Sequence, residues 1–559
     1  MEARDDAPIV GYVLTSDEQS PVSFHMVLAP GVWLQMDDVV YAAAPMPGGR
    51  PYTVWGAVDA LRTAYEGTGY SSDALLAVEG RIPTRQVTVA HVRGLRTEPA
   101  TMEAPLPPGT AVRLAMGRER EVALGYDVME RRFPLGLDRG GHVVWGNLDF
   151  LNGVHGAHVN IAGISGVAAK TSYAVFLLYA LFLHPESSQH LRTARAVIFN
   201  TKGEDLMHLD KPGAGLTGEE RAMYDALGLP AAPFPDVAFW APPRRDSWDH
   251  DMEPATVSRL EGVRVMAWST RAFCQEGLLP YIFAEPDREG SQLELAITVA
   301  TSYLRELAAQ VSTTQASVKA GDTTIVTYDD LVDHLMANRD DVFGRARIAP
   351  GTQDAFLRRL HGAAGALERL VRGRLSPEQE AAHRFDLGAA RVHVVDIHDL
   401  PEAGQRFVVG AVLRQLFEDK ATRGQREPLL FVVLDELNKY APRAGRSPIK
   451  EMAMEMAARG RSLGLVLIGA QQMASEVEPA VVANCSFRAA GRLDPAEAQR
   501  DTYSWLRSAR SRIDLLRPGA LFVSQPDISM PVLVRFPRPA WATRPDEAVE
   551  TESWQDIFR

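Results

Sequence analysis

Six consecutive apolar residues, Leu429 to Leu434, run directly into two adjacent carboxylates, Asp435 and Glu436. A strand with apolar side chains on both faces has to be covered on both sides, which is the situation of a strand inside a helix-flanked parallel sheet. Runs of the same kind recur along the chain: HVNIA (158–162), ARAVIFN (194–200), RVHVVDI (391–397), LVLIGAQQ (465–472) and SFRAAGRL (486–493). Helical patterns lie between several of them. This alternation predicts an α/β fold built on a parallel sheet.

Composition narrows the class of protein. At 559 residues, 46% hydrophobic and 23% charged, the chain is an ordinary globular one, which excludes wholesale disorder, a collagen-like repeat and a coiled-coil rod. The net charge of −12 disfavours a protein that coats DNA with its whole surface, yet it leaves room for a basic channel inside an acidic body. Cys274 and Cys485 are far apart and are the only two cysteines, so neither a disulfide scaffold nor a cysteine-rich zinc site is expected. The opening MEARDDAPIV lacks the features of a signal peptide, and the longest apolar run, Tyr173 to Leu183, is too short to span a bilayer. A cytoplasmic protein without a membrane segment is expected.

The organisation reads as follows. Residues 1–95 hold many short β-segments with Pro-Gly punctuation, among them VWLQM and ALLAVEG, and predict a small barrel. Residues 96–205 form a linker and the first part of the α/β core. Residues 206–390, which begin with a Pro- and Trp-containing loop-rich stretch and continue with helical patterns, read as a helical insertion. Residues 391–540 complete the core, and 541–559 form a Pro-rich tail.

The turn after the 158–162 strand carries the first chemistry. Gly163, Ser165, Gly166, Val167, Ala168 and Ala169 precede Lys170, Thr171 and Ser172. A phosphate loop needs small residues whose N–H groups curl around a phosphate. It also needs a Lys for the β/γ oxygens and a hydroxyl for Mg²⁺, all at a helix N-terminus. This sequence supplies the Lys and the hydroxyl but departs from the strict pattern, since Ala169 stands where a Gly usually precedes the Lys. Taken alone, it is a weak signal, and a turn of this kind is more often a helix-capping one. The Asp435-Glu436 pair decides between them: Asp is the metal's partner, and Glu orients and deprotonates an attacking water. Further along, Gln471 ends a buried strand where an amide can sense a γ-phosphate. Arg461, with Arg459 as the alternative, ends a helix where an arginine finger could act on a neighbour's nucleotide. Glu204, in NTKGED, falls at the carboxyl edge where such sheets bind ligands.

In this order and spacing, HVNIAGISG…KTS, NTKGED, LLFVVLDELNKYAPR, ARGRSLGLVLIGAQQ, NCSFRAAGRL and LRPGALFVSQPDISMPVLVRF resemble the HerA-like DNA-translocating ATPases of the HerA/FtsK superfamily. The resemblance covers most of the chain. It implies a RecA-like P-loop ATPase core behind a small barrel of the HerA–ATP-synthase type, with ATP and Mg²⁺ as cofactors. By position, Lys170 and Thr171 would bind nucleotide and metal, Asp435 the metal, Glu436 the water, Gln471 the γ-phosphate, and Arg461 would act in trans. It further implies a homo-hexamer that moves double-stranded DNA beside a separate nuclease, such as NurA in DNA-end resection and repair, or beside a defence effector. A ring that only scaffolds such an effector is the alternative. Departures from the family pattern are a phosphate loop one residue longer, Asn200 where Asp is common, and Asn438 where His is frequent.

Two basic stretches are candidates for DNA contact. Lys439, Arg443, Arg446 and Lys450 follow the Asp-Glu pair, and seven Arg fall between 345 and 374. Each is equally a solvated surface or a subunit contact. The pairs His155/His158 and His393/His398 show no further ligands nearby in sequence, so no zinc site is expected.

Overall fold

The computed structural model describes residues 7–15, 20–46, 51–68, 72–164, 170–213, 215–283 and 292–548. The chain divides into two compact units.

The first unit comprises Met1–Arg132, Tyr503–Arg512 and Phe522–Leu533. Its six antiparallel strands are β1 (Ile9–Val13), β2 (Ser23–Leu28), β3 (Val39–Pro45), β4 (Pro51–Tyr65), β5 (Gln86–Glu98) and β6 (Ala111–Leu114). They close in the order β1-β2-β5-β4-β3-β6 around Val10, Phe24, Met26, Val40, Val54, Val92 and Val112. The barrel therefore needs β6, which lies beyond residue 95 in the stretch read as linker. Two of the expected β-segments differ: VWLQM forms no strand, and DALLAV is a short helix, Asp73–Val78. Residues 503–512 return to this unit, where Arg512 pairs with Asp37 at 2.7 Å and Ser508 donates to Asp59.

The second unit is built on a large mixed sheet. Its strands are β7 (Arg132–Leu137), β8 (Val143–Asn147), β9 (Val159–Ala162), β10 (Arg195–Asn200), β11 (Val237–Ala241) and β12 (Val263–Val265). A separate hairpin, β13 (Val318–Ala320) and β14 (Thr323–Ile325), interrupts the series, which resumes with β15 (Val392–Asp396), β16 (Leu430–Asp435), β17 (Leu465–Gln471) and β18 (Phe487–Ala490). The parallel core runs β12-β11-β15-β10-β16-β17-β9-β18. Segments β19 (Ala520–Ser524) and β20 (Val532–Arg535) follow near the end of the chain.

Residues 206–390 are not wholly helical. They contain the helices Gln292–Ala309, Tyr328–Ala337 and Pro350–Leu370, but β11 and β12 extend the parallel sheet beyond β15. The strand VAFWA was hidden in sequence by the prolines around it. Its partner β15 lies about 155 residues away, as the pairing of Ala238 with His393 shows. Among the described residues, no helix is long and apolar enough to cross a membrane.

Sheet register fixes the geometry that matters most. Asp435 pairs with Ala470, and Gln471 with Ala162. The carboxyl ends of β16, β17 and β9 therefore stand side by side, with β17 between the Asp435 strand and the Gly163 turn. Gly464 permits this arrangement. It ends the helix Pro448–Leu463 in a left-handed conformation (φ +70°) and lies so close to the Arg426 carbonyl that a Cβ would collide with it. Gly464→Ala should destabilise the second unit by about 2 kcal/mol or more, combining the φ penalty with the clash. The check is a lowered urea midpoint for the transition that reports this unit.

Candidate nucleotide-binding site

The helix Lys170–Leu183 starts immediately after residues 165–169 and is buried over almost its whole length, from Tyr173 to Phe182. A helix apolar on every side sits between other layers rather than on the surface, so its first turn is held rigidly at the sheet edge. Ser165, Gly166, Val167, Ala168 and Ala169 lie outside the described residues. On the preceding side, Gly163 N–H donates to the Gln471 carbonyl at 3.2 Å, and Ile164 N–H to the Arg492 carbonyl at 2.9 Å.

The structure brings the two sequence signals into contact. Thr171 Oγ1 donates to Asp435 Oδ2 at 3.1 Å, across 264 residues of chain. Lys170, Thr171, Ser172, Asn200, Lys202 and Asp435 line one cavity of about 440 Å³, a size typical of small-ligand sites. A hydroxyl and a carboxylate oxygen converging in this way are the hard donors that Mg²⁺ takes, its remaining ligands usually being water and phosphate. The chemistry of the donor set thus fits Mg²⁺ at Thr171 and Asp435.

The charges are tightly coupled. Lys202 Nζ lies 3.2 Å from Asp435 Oδ2 and 3.0 Å from Glu436 Oε1, and Lys439 Nζ lies 2.5 Å from Glu436 Oε2. Burial would raise the Glu436 carboxyl, but the hydrogen bonds from Lys439 and Lys202 outweigh it and hold the group below its ordinary value. Lys170 is almost fully buried, and its ammonium is pushed down by that burial and by the charge of Lys202, against the pull of Asp435 and Glu436. For Lys202 burial works downward, but Asp435 and Glu436 win and raise it. Glu436 also has a left-handed backbone (φ 57°), unusual for a residue with a side chain. Such strain concentrates at functional positions.

The other expected site residues fare differently. Gln471 is fully buried at the end of β17, and neither amide atom has a hydrogen-bond partner among the described residues. Glu204 is turned away from the cavity. Its carboxylate accepts from the backbone N–H of Val257 at 2.5 Å and of Ser258 at 2.6 Å, anchoring that loop. Sequence position pointed to Glu204, but Gly203 (φ +53°) turns the chain so that Lys202 faces the site instead. Arg461 is exposed and donates to the Val154 carbonyl at 2.7 Å, while Arg459 pairs with Glu455 at 3.2 Å. Neither lines the cavity of its own chain.

Among the basic candidates, Lys450 is spent internally. It is buried, bonds the Arg443 and Gly445 carbonyls and pairs with Glu478 at 2.7 Å. Arg443 and Arg446 remain exposed. In the 345–374 stretch, Arg369 is buried against Asp399 and Arg372 pairs with Asp249; the side chain of Arg345 lies outside the description. His158 and His393 are buried and hydrogen-bonded, whereas His155 is exposed; His398 pairs with Asp396, and the ligand atoms of Glu204, Asp396 and His398 come within 4.8 Å of one another. Their donor atoms are engaged, Asp396 by His398 and Asn200, and Glu204 by the 257–258 backbone.

No protein-family model matches the chain, and no curated protein matches it. It is similar to the solved structure of VirB4 of Thermoanaerobacter pseudethanolicus, at 13% identity and a TM-score of 0.43 over 73% of this chain and 96% of that one. It is also similar to the plasmid coupling protein TrwB in complex with ADP and Mg²⁺, at 12% identity and a TM-score of 0.43, covering 71% of this chain and 89% of TrwB. The genome packaging NTPase B204 of Sulfolobus turreted icosahedral virus 2, in complex with ATP-γS, covers 27% of this chain and 70% of its own at 12% identity, with a TM-score of 0.21.

Because Lys202 neutralises two adjacent carboxylates, Lys202→Met should destabilise the protein at pH 7. Glu436 is held below its unfolded value, so its contribution is complete above the unfolded carboxyl range and is lost as pH falls through the lower folded value. The stability gap between variant and wild type should therefore close below about pH 4. Urea melts across pH 3–8 check it, and a gap independent of pH would contradict the assignment.

Proposed function

We propose that this chain is a Mg²⁺-dependent ATPase of the HerA/FtsK kind that assembles as a hexameric ring and translocates double-stranded DNA. One observation carries the reading: Thr171 and Asp435, from the two motif-bearing segments, meet at 3.1 Å in one cavity with Lys170 and with Glu436 beside them. Lys170 holds the β/γ-phosphate charge at the helix N-terminus. Thr171 and Asp435 hold the metal, which when bound neutralises phosphate charge. Glu436, kept ionised by its two lysines, accepts a proton from water. Reaching the water requires Lys202 and Lys439 to release the carboxylate, and the nucleotide's phosphates are the natural competitor for both ammonium groups. Gln471 supports the reading in a different way. An orphaned buried amide costs about 1–3 kcal/mol, and a phosphate oxygen or ordered water at the strand edge would satisfy it.

The finer parts of the proposal follow the same logic. Arg461 is exposed and outside its own cavity, as a finger offered to a neighbouring subunit has to be. Cleavage of DNA falls to a partner, a NurA-type nuclease or a defence effector, because the carboxylates of this chain's candidate site are committed to nucleotide chemistry. Residence in the cytoplasm accompanies this role.

Lys170→Ala should reduce ATP turnover by at least a hundredfold and weaken nucleotide binding. Glu436→Gln should lose turnover to a similar extent while retaining nucleotide, because the amide keeps its shape but accepts no proton. Steady-state hydrolysis together with nucleotide-binding titrations tests both. Unchanged turnover in Lys170→Ala would remove the phosphate-loop assignment.

DNA contact is expected at exposed Arg443 and Arg446 and not at Lys450. Neutralising the two arginines should weaken DNA binding about equally across sequences and flatten the log–log salt slope by roughly 0.9 for each phosphate that is no longer neutralised. Basal ATP turnover should persist. A salt titration of DNA affinity decides it, and an unchanged slope removes this loop from the DNA path.

A further inference from the structure

The cavity that holds Lys170 and Asp435 is also lined by residues that in sequence read as the close of the core and the start of the Pro-rich tail. Pro539, Trp541, Thr543 and Arg544 all line it. The segment that carries them is bolted down along its length. The Phe536 ring packs 5.1 Å from Tyr173, and Trp541 packs 4.8 Å from Tyr179, both on the helix that begins at Lys170. Tyr224 Oη donates to the Arg538 carbonyl and accepts from the Ala540 N–H, each at 3.0 Å. The backbone pairs with a second strip of chain, Gly213 N–H to the Ala540 carbonyl and Ala542 N–H to the Lys211 carbonyl, each at 2.9 Å. Gly213 is needed for that approach, since a Cβ there would sit 2.7 Å from the Trp541 carbonyl oxygen. A short turn follows, closed by Glu547, which accepts from the Thr543 N–H and hydroxyl at 2.9 and 3.0 Å. This is a rigid strap, and it ends by presenting Arg544 to the cavity.

The two walls differ in chemistry. Charges felt at Lys170 are those of Lys202, Asp435 and Glu436, whereas the charge of Arg544 is felt at Asp205, also on the cavity wall. Val175 lines the cavity as well, and it stands roughly 7 Å along the helix from Lys170 at the usual rise per residue. Beyond the phosphate-loop residues, the lining combines apolar Val175, Leu206 and Pro539 with polar Asp205, Thr543 and Arg544. An apolar surface edged by a guanidinium, a hydroxyl and a carboxylate suits a base and its ribose. Arg stacks on planar rings and Asp accepts from sugar hydroxyls.

We propose that the strap Pro539–Arg544 is the nucleoside-binding wall of this pocket, with Arg544 and Asp205 its polar contacts to base and ribose. The assignment rests on the reading of the cavity as a nucleotide site. It makes the end of the chain part of the pocket in cis, so that nucleotide affinity depends on a segment about 370 residues from the phosphate-loop lysine.

The test compares ATP with inorganic tripolyphosphate, each with Mg²⁺, by calorimetric titration of the full-length chain. Arg544 is exposed and outside the aromatic bolts, so Arg544→Ala leaves the fold in place. It should raise the Kd for ATP at least tenfold and leave that for tripolyphosphate unchanged, and Asp205→Asn should act in the same direction. Equal weakening of both ligands would make Arg544 a phosphate contact and overturn the proposal, as would unchanged affinity for both. Lys170→Ala reports on the underlying reading separately. It should weaken both ligands, and if it weakens neither, the nucleotide site itself has been misplaced.

Discussion

The hydrogen bond between Thr171 and Asp435 exists only because β9, β17 and β16 run parallel and in fixed register. Sliding β17 by one residue against either neighbour would turn its alternate side chains to the opposite face of the sheet, and the site would separate into unrelated loops. Everything chemical in the second unit depends on that register. The helix after Gly163 is buried on all sides and cannot drift, the Asp435 strand is apolar on both faces, and Gln471 lies at the seam between them. Hydrophobic burial and ladder bonds position the polar groups, whose mutual interactions are too weak to do so themselves.

What could be read from sequence followed from that division. Continuous apolar runs announce buried strands, so β9, β10, β15, β16, β17 and β18 were all legible, as were Lys170, Thr171 and Asp435 at their edges. The barrel was legible as a barrel but not in its extent, because β6 has only four residues and follows a Pro-rich segment. Strands β11 and β12 were missed because short strands at a sheet edge are recognised mainly through partners distant in sequence. For the site, the limit was direction. In NTKGED every residue lies near the edge, and only the backbone turn at Gly203 decides that Lys202 enters the site while Glu204 anchors another loop. Lys450 shows the same limit. As sequence it is one more cation in a basic loop, but it folds under that loop to bind two carbonyls and Glu478.

The strap was beyond reach for a related reason. Prolines and scattered aromatics carry no periodicity, so residues 541–559 read as a tail and the stretch just before them as the close of the core. Yet Phe536 and Trp541 find Tyr173, Tyr179 and Phe234 in the structure, with ring centroids about 5 Å apart. Aromatic pairs of this kind add roughly 0.5–1.5 kcal/mol each beyond their buried area, which is enough to fix a segment that has few ladder bonds.

The same packing has a consequence for how the site responds. The helix from Lys170 touches the sheet on one side and the strap on another, so a ligand that bears on its first turn bears on both. Lys202 and Lys439 are the side chains with freedom to move, since each is about half exposed while Asp435, Lys170 and Gln471 are buried. If the proposed nucleotide binds here, its polyanionic phosphate chain competes for ammonium groups with two carboxylates that are already paired. On that reading the sheet need not deform, because exchanging partners at Lys202 and Lys439 is enough to free Glu436. The scaffold is therefore buried where geometry has to be kept and exposed at the charges, a division that would let the proposed nucleotide alter the chemistry of the site without disturbing the register on which it stands.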